Sequence, residues 1–274
     1  RIESSQILDE LSKSNKSGHI VSDPLFDSLD IALNNKNPII RRNIIWVIGN
    51  CSHQGYGYEI VNSKLFRNLE FSLDDPDPEV RAASAWTVAS IAESGQADAI
   101  GNSNTTLKCV ELLRDKDNNV KIWAAFALDK IAFYGNPRYV FEKDGDARLI
   151  SLLQSKDNHL KIKCLWALWS IAAKGAVDRL CENEQFITTI KLNAVDGDLE
   201  SRKAATSIIG ELSSISNKSI LQNKGLEKIL IKNIYSRSNR VRGAAIWAAG
   251  KWADYNLKNI LTQNGVKEAL RSHF

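Results

Sequence analysis

The side chains able to do bond-making chemistry are few and scattered. The four histidines are His19, His53, His159 and His273, far apart in sequence. The four cysteines, Cys51, Cys109, Cys164 and Cys181, form no CxxC pair, and each sits in an apolar stretch. That pattern is expected of small buried hydrophobes in a reducing compartment. The chain has no HExxH, no Cys/His cluster, no glycine-rich phosphate loop and no GxSxG elbow. No metal or cofactor is therefore expected.

What does recur is a base followed by an aromatic five residues on. The copies are Ile40-Arg41…Trp46, Val80-Arg81…Trp86, Val120-Lys121…Phe126, Leu160-Lys161…Trp166 and Val241-Arg242…Trp247. Arg202 heads a sixth copy with Ser207 in the aromatic slot. The bases fall at 41, 81, 121, 161, 202 and 242, so the step is 40 or 41 residues. Glycine keeps the same step at Gly55, Gly95, Gly135 and Gly175. A fixed period of this size is the mark of a stacked repeat architecture.

The elements that carry this register read as helices. In the stretch from Gly145 to Gly175, residues 147–153 place apolar side chains at helical spacing. Lys156-Asp157-Asn158-His159 breaks that helix. Leu160 to Lys174 forms a longer one, apolar round most of its circumference, as sandwiching between neighbours requires. Gly175 is expected to end it in a left-handed conformation, with a short helix near 176–183. No period-2 strand pattern stands out. The bases are read as structural, paired with nearby acids such as Asp77 and Asp117.

Two helices and a short connector in about 40 residues is the length of an armadillo or HEAT unit. The stretches Ala85-Trp86-Thr87-Val88-Ala89-Ser90-Ile91-Ala92 and Leu165-Trp166-Ala167-Leu168-Trp169-Ser170-Ile171-Ala172 resemble the third helix of an armadillo repeat. Asn223-Lys224-Gly225-Leu226 and Asn264-Gly265-Val266 resemble the glycine ahead of its second helix. The expected fold is all-α: a right-handed superhelical solenoid of about six repeats over residues 24–274, with residues 1–23 a terminal helix and linker. In that leader, Ile7, Leu8 and Leu11 are the expected capping face.

Such units cannot bury their faces alone, so they stack, and helices about 8–10 Å apart would give six of them a groove of roughly 50–60 Å. The resemblance implies that the Trp of each third helix, and the residue four later, line it. Four residues is about one turn, so both point the same way. Here the pairs are Trp46/Asn50, Trp86/Ser90, Phe126/Lys130, Trp166/Ser170, Ser207/Glu211 and Trp247/Lys251. Trp123 and Trp169 would widen an aromatic patch. Trp252 is assigned to the core, because its slot holds Ile91, Ile131 and Ile171 elsewhere.

Trp46-Val47-Ile48-Gly49-Asn50 resembles a segment of importin-α, which grips basic localisation peptides with repeated Trp–Asn pairs. The other slots lack Asn, and Lys130 and Lys251 would repel a basic peptide. The same segment with Gln54 resembles the armadillo-type nucleotide exchange factors of heat-shock chaperones. Some HEAT-like DNA glycosylases use groove Trp residues with an acid, a pattern Asp129 near Phe126 would echo. The net charge of +4 and pI near 8.8 fall short of a nucleic-acid footprint. The favoured expectation is a non-catalytic scaffold for an extended protein segment of acidic or mixed charge with apolar anchors, in cytoplasm or nucleus. No apolar run approaches the ~20 residues of a membrane span. The opening residue, Arg1 rather than Met, reads as a fragment or processed form.

Overall fold

The computed structural model describes residues 2–14, 17–21, 25–221, 224–254 and 265–271. Every regular element among them is helical. The chain divides into two compact units, residues 1–148 and 149–274.

The first unit opens with α1 (Ile2–Lys13) and α2 (Ser17–Ile20). Then come α3 (Leu25–Leu33), α4 (Pro38–Cys51), α5 (Gly57–Val61), α6 (Lys64–Ser72) and α7 (Pro78–Ile91). They are followed by α8 (Ala97–Gly101), α9 (Thr105–Leu112), α10 (Asn118–Tyr134) and α11 (Arg138–Phe141), and the division falls within α12 (Gly145–Leu152). The second unit holds α13 (Asn158–Ala173), α14 (Val177–Cys181), α15 (Glu184–Asp196), α16 (Leu199–Glu211), α17 (Leu226–Ile234) and α18 (Asn239–Asp254). A last helix spans Val266–Arg271. The long helices α4, α7, α10, α13, α16 and α18 carry the six recurring bases. In the first unit α4, α7 and α10 pack side by side, with α1 on α4; in the second, α13, α16 and α18 do the same.

Five of the six long helices start for the same local reason. Asn37, Asp77, Asp117, Asp157 and Asp198 stand just ahead of α4, α7, α10, α13 and α16, and their side chains accept from backbone N–H groups of the first turn. Pro38 and Pro78 fill the first helical position, where no N–H is needed. Gly55, Gly95 and Gly175 have φ of 103°, 91° and 88°, as expected of helix stops. Gly135 departs from the pattern: it takes φ −115° and donates its N–H to Ile131 O at 3.1 Å. Gly225 (φ 70°) precedes α17 and Gly265 (φ 80°) the last helix, while Asn223 and Asn264 lie outside the described residues. In the fourth repeat the left-handed position falls to Asp144 (φ 57°), one residue ahead of Gly145.

The bases are structural, but their partners are not the ones expected. Arg41 makes a two-armed bond to Asp75, with both contacts 2.7 Å, and Arg81 does the same to Asp115 at 2.7 and 3.0 Å. Each reaches 34 residues on, into the loop of the next repeat. Each also donates to a carbonyl of its own loop, Asn35 O or Asp75 O. Asp77 and Asp117 are already engaged as helix caps. In the second unit Arg202 turns to Asn233, 2.7 Å away and fully buried, whose amide also donates to Ala194 O and Thr206 Oγ1.

Cys51, Cys109 and Cys164 are buried, and Cys181 is half-buried. Burial pushes the Cys109 thiol up to about 12. Among the described residues no helix is long and apolar enough to cross a membrane.

Candidate partner-binding face

Helix α4 buries Ile45, Val47 and Ile48 completely around a half-exposed Trp46. Helix α7 repeats this with Ala85, Thr87 and Val88 around Trp86, and α10 with Ala125, Ala127 and Leu128 around Phe126. The slots are therefore the apolar side chains that packing leaves uncovered. The Trp46 and Trp86 rings lie 4.4 Å apart, tilted by 46°. Gly49 makes that approach feasible: a Cβ there would sit 2.1 Å from Trp86 Cζ3. Trp123 meets Phe126 edge-on at 5.8 Å.

The residue one turn later behaves differently from the slot. Asn50 Nδ2 donates to Ser12 Oγ at 2.9 Å and to Asp9 Oδ1 at 3.4 Å, so α1 holds this amide. Asn43 donates to Ser5 Oγ at 3.1 Å, and Gln54 to Ser12 O, so the seam between α1 and α4 is polar. Of the expected capping face of α1, Ile7 is 56% and Leu11 39% exposed and only Leu8 is half-buried, while Ser5 and Ser12 are buried. Ser90 and Ser170, expected to line the groove, are buried, and Ser90 Oγ donates to its own helix at Trp86 O.

The expected repulsive lysines are not bare charges. Lys130 Nζ lies 2.9 Å from Glu93 and 3.6 Å from Asp129, and 4.9 Å from the Phe126 centroid. Burial pulls its pKa down, but Glu93 and Asp129 outweigh that and raise it. Glu93 also stands 3.8 Å from His53. Asp129, the acid that a glycosylase pattern would need, is thus tied to Lys130 and nearly buried.

The second unit uses the same grammar. Trp166 is half-exposed, meets Trp169 edge-on at 5.6 Å, and carries the Lys203 ammonium 5.2 Å over its ring. Lys251 pairs with the nearly buried Glu211 at 2.6 Å and sits 5.2 Å over the Trp247 ring. Trp247 is 41% exposed. Gly210 leaves it room, since a Cβ there would lie 2.6 Å from Trp247 Cζ3. Ser207 is nearly buried, its hydroxyl donating to Lys203 O. Trp252 is core, with Nε1 donating to Ile209 O at 2.7 Å.

Sequence reasoning missed Gly49, Gly210, Glu93 and Lys203. A glycine three residues after slots 46 and 207 was the available signal for the first two; the acids and bases pair across repeats and leave no local trace. Among the described residues no group of three His, Cys, Asp or Glu side chains could hold a metal ion.

Comparison with solved structures places the fold. A designed armadillo repeat protein, YIII(Dq)4CqI, is 20% identical with a TM-score of 0.72, over 82% of this chain and 98% of its own. Another, YIII(Dq.V1)4CPAF, solved in complex with the peptide (KR)4, is 20% identical with a TM-score of 0.74 over the same shares. An engineered protein at 22% identity has a TM-score of 0.80, over 92% of this chain and 64% of its own. The fold is that of an all-α armadillo/HEAT-type solenoid. No curated protein sequence matches the chain. The profile of the family Cnd1, non-SMC mitotic condensation complex subunit 1, matches residues 39–192, more than half of the chain. With that span of agreement, the chain belongs to the Cnd1 family.

Proposed function

We propose that this chain is a non-catalytic scaffold that holds a segment of another protein on the exposed aromatic rings of the long helices in each of its two units. One observation carries the reading. In both units the slot rings, Trp46, Trp86, Phe126, Trp166 and Trp247, stay partly exposed; the residues on either side of the first four are buried, and Trp247 follows a half-buried Ile246. Such rings supply large apolar contact area at low entropic cost and are frequent anchors of protein interfaces.

The charges favour a partner of mixed charge. Arg42 pairs with Glu79, Lys130 with Glu93 and Lys251 with Glu211, so these rungs are close to neutral and apolar anchoring dominates there, while Lys203 brings a positive charge to Trp166. The localisation-peptide reading loses ground, because it needs several Trp–Asn pairs and the single Asn, Asn50, is held by α1. The family description names a subunit of a mitotic condensation complex. It supports another subunit of such an assembly as the partner, and a nuclear or cytoplasmic setting.

The test is capture of partners from mitotic extract by wild type and by a Trp86→Ala/Trp166→Ala double variant, with folding checked by circular dichroism. Loss of a hot-spot ring should weaken capture at least about tenfold. A folded double variant that keeps every partner would move the binding site off these helices.

A further inference from the structure

Helix α7 differs from its neighbours at one turn. Where α4 carries Arg42 and Asn43, and α10 carries Ile122 and Trp123, α7 carries only Ala82 and Ala83, which are 4% and 1% exposed. The small side chains leave a notch of about 320 Å³ lined by the indoles of Trp46 and Trp123. That size falls at the low end of ligand pockets, roughly 300–1,000 Å³.

The rim shows which chemistry fits. Arg42 is ion-paired with Glu79 and also donates to Asn43 Oδ1. Asp9 is paired with Lys13 at 2.6 Å and accepts from Asn50. Every rim charge already has its counter-charge, so a charged occupant would be desolvated with no unpaired group to receive it. A neutral ring gains both aromatic walls. Asn119 lines the notch as well, and among the described residues its exposed side-chain amide has no partner.

We infer that this notch is the anchor pocket of the partner-binding face, taking one neutral aromatic side chain with a ring donor, Trp or Tyr, whose N–H or O–H reaches Asn119. The inference rests on the scaffold reading above.

The experiment is a ligand-observed NMR titration of the whole chain with N-acetyl-tryptophanamide, N-acetyl-leucinamide and N-acetyl-argininamide. Tryptophanamide should bind best to wild type. Ala82→Leu, which fills the notch with a good helix former, should weaken it at least about tenfold, or 1.4 kcal/mol. Asn119→Ala, on the surface, should weaken it severalfold, while Leu192→Ala on α15 should leave it unchanged. If Ala82→Leu does not fold, Asn119→Ala carries the test alone. Tighter binding of argininamide would overturn the neutral occupant. Absent tryptophanamide binding, or binding untouched by a folded Ala82→Leu, would overturn the pocket. These probes need no partner, so their failure is distinguishable from failure of the scaffold reading, which partner capture measures separately.

Discussion

Gly49 decides where the Trp86 ring can lie. A methyl at that position would meet the indole at 2.1 Å, so Gly49→Ala must push the ring off α4 and break its stacking on Trp46. Overpacking of this kind costs about 1–3 kcal/mol. The expected outcome is a lower urea midpoint together with a changed near-ultraviolet circular dichroism signal; an unchanged aromatic signal would show that the ring has another resting place. At this scale the slots were legible in the sequence and their companions were not. Asn50, Lys130 and Lys251 stand at the same offset from their slots and stay part-exposed, whereas the short side chains of Ser90 and Ser170 end at the helix surface and are covered. Both end up buried. The pairs Lys130–Glu93 and Lys251–Glu211 join residues about one repeat apart. No local spacing announces them.

At the scale of elements, the period exposed the helices and their caps, because Asp or Asn before α4, α7, α10, α13 and α16 acts on the backbone a few residues away. The bond that joins one loop to the next was misassigned for the opposite reason: Asp77 is near Arg81 in sequence, but it is spent on capping, and Asp115 is near in space. Burial pushes the Asp115 carboxyl up, yet its bonds to Arg81 and to backbone N–H groups win and hold it below its ordinary value. A carboxylate lowered in this way stabilises the fold above the unfolded value near 4, and that contribution is lost as pH falls through the folded value. Asp115→Asn should therefore cost about 1 kcal/mol near pH 7, because the pair is only partly buried and Arg81 keeps its bond to Asp75 O. The gap between variant and wild type should narrow in urea titrations as pH falls below the ordinary carboxylate range and the wild-type carboxyl takes up its proton. A gap that stays constant with pH would mean the ion pair contributes nothing beyond shape.

For the whole molecule, the rungs of paired charge set the salt response. If a bound segment is anchored by rings, raising sodium chloride from about 50 to 300 mM should change its affinity by less than about threefold, because short paired charges are little screened and few free charges steer the encounter. A steep salt dependence would instead point to an electrostatic groove and revive a strongly charged ligand. Length and period together gave the architecture at this scale, since a 40-residue register admits few other folds; the partner is not written in it, because stacking needs only apolar faces.

The 34-residue reach of Arg41 and Arg81 has a consequence for how such a chain can change length. Each bond is defined by spacing alone, so excising residues 42–81 would bring Arg41 to Asp115 at the same 34-residue distance that joined it to Asp75. The splice should fold, with only α1 loosened by the loss of Asn43, Asn50 and Gln54. The chain is thus open to copying and excision by whole paragraphs.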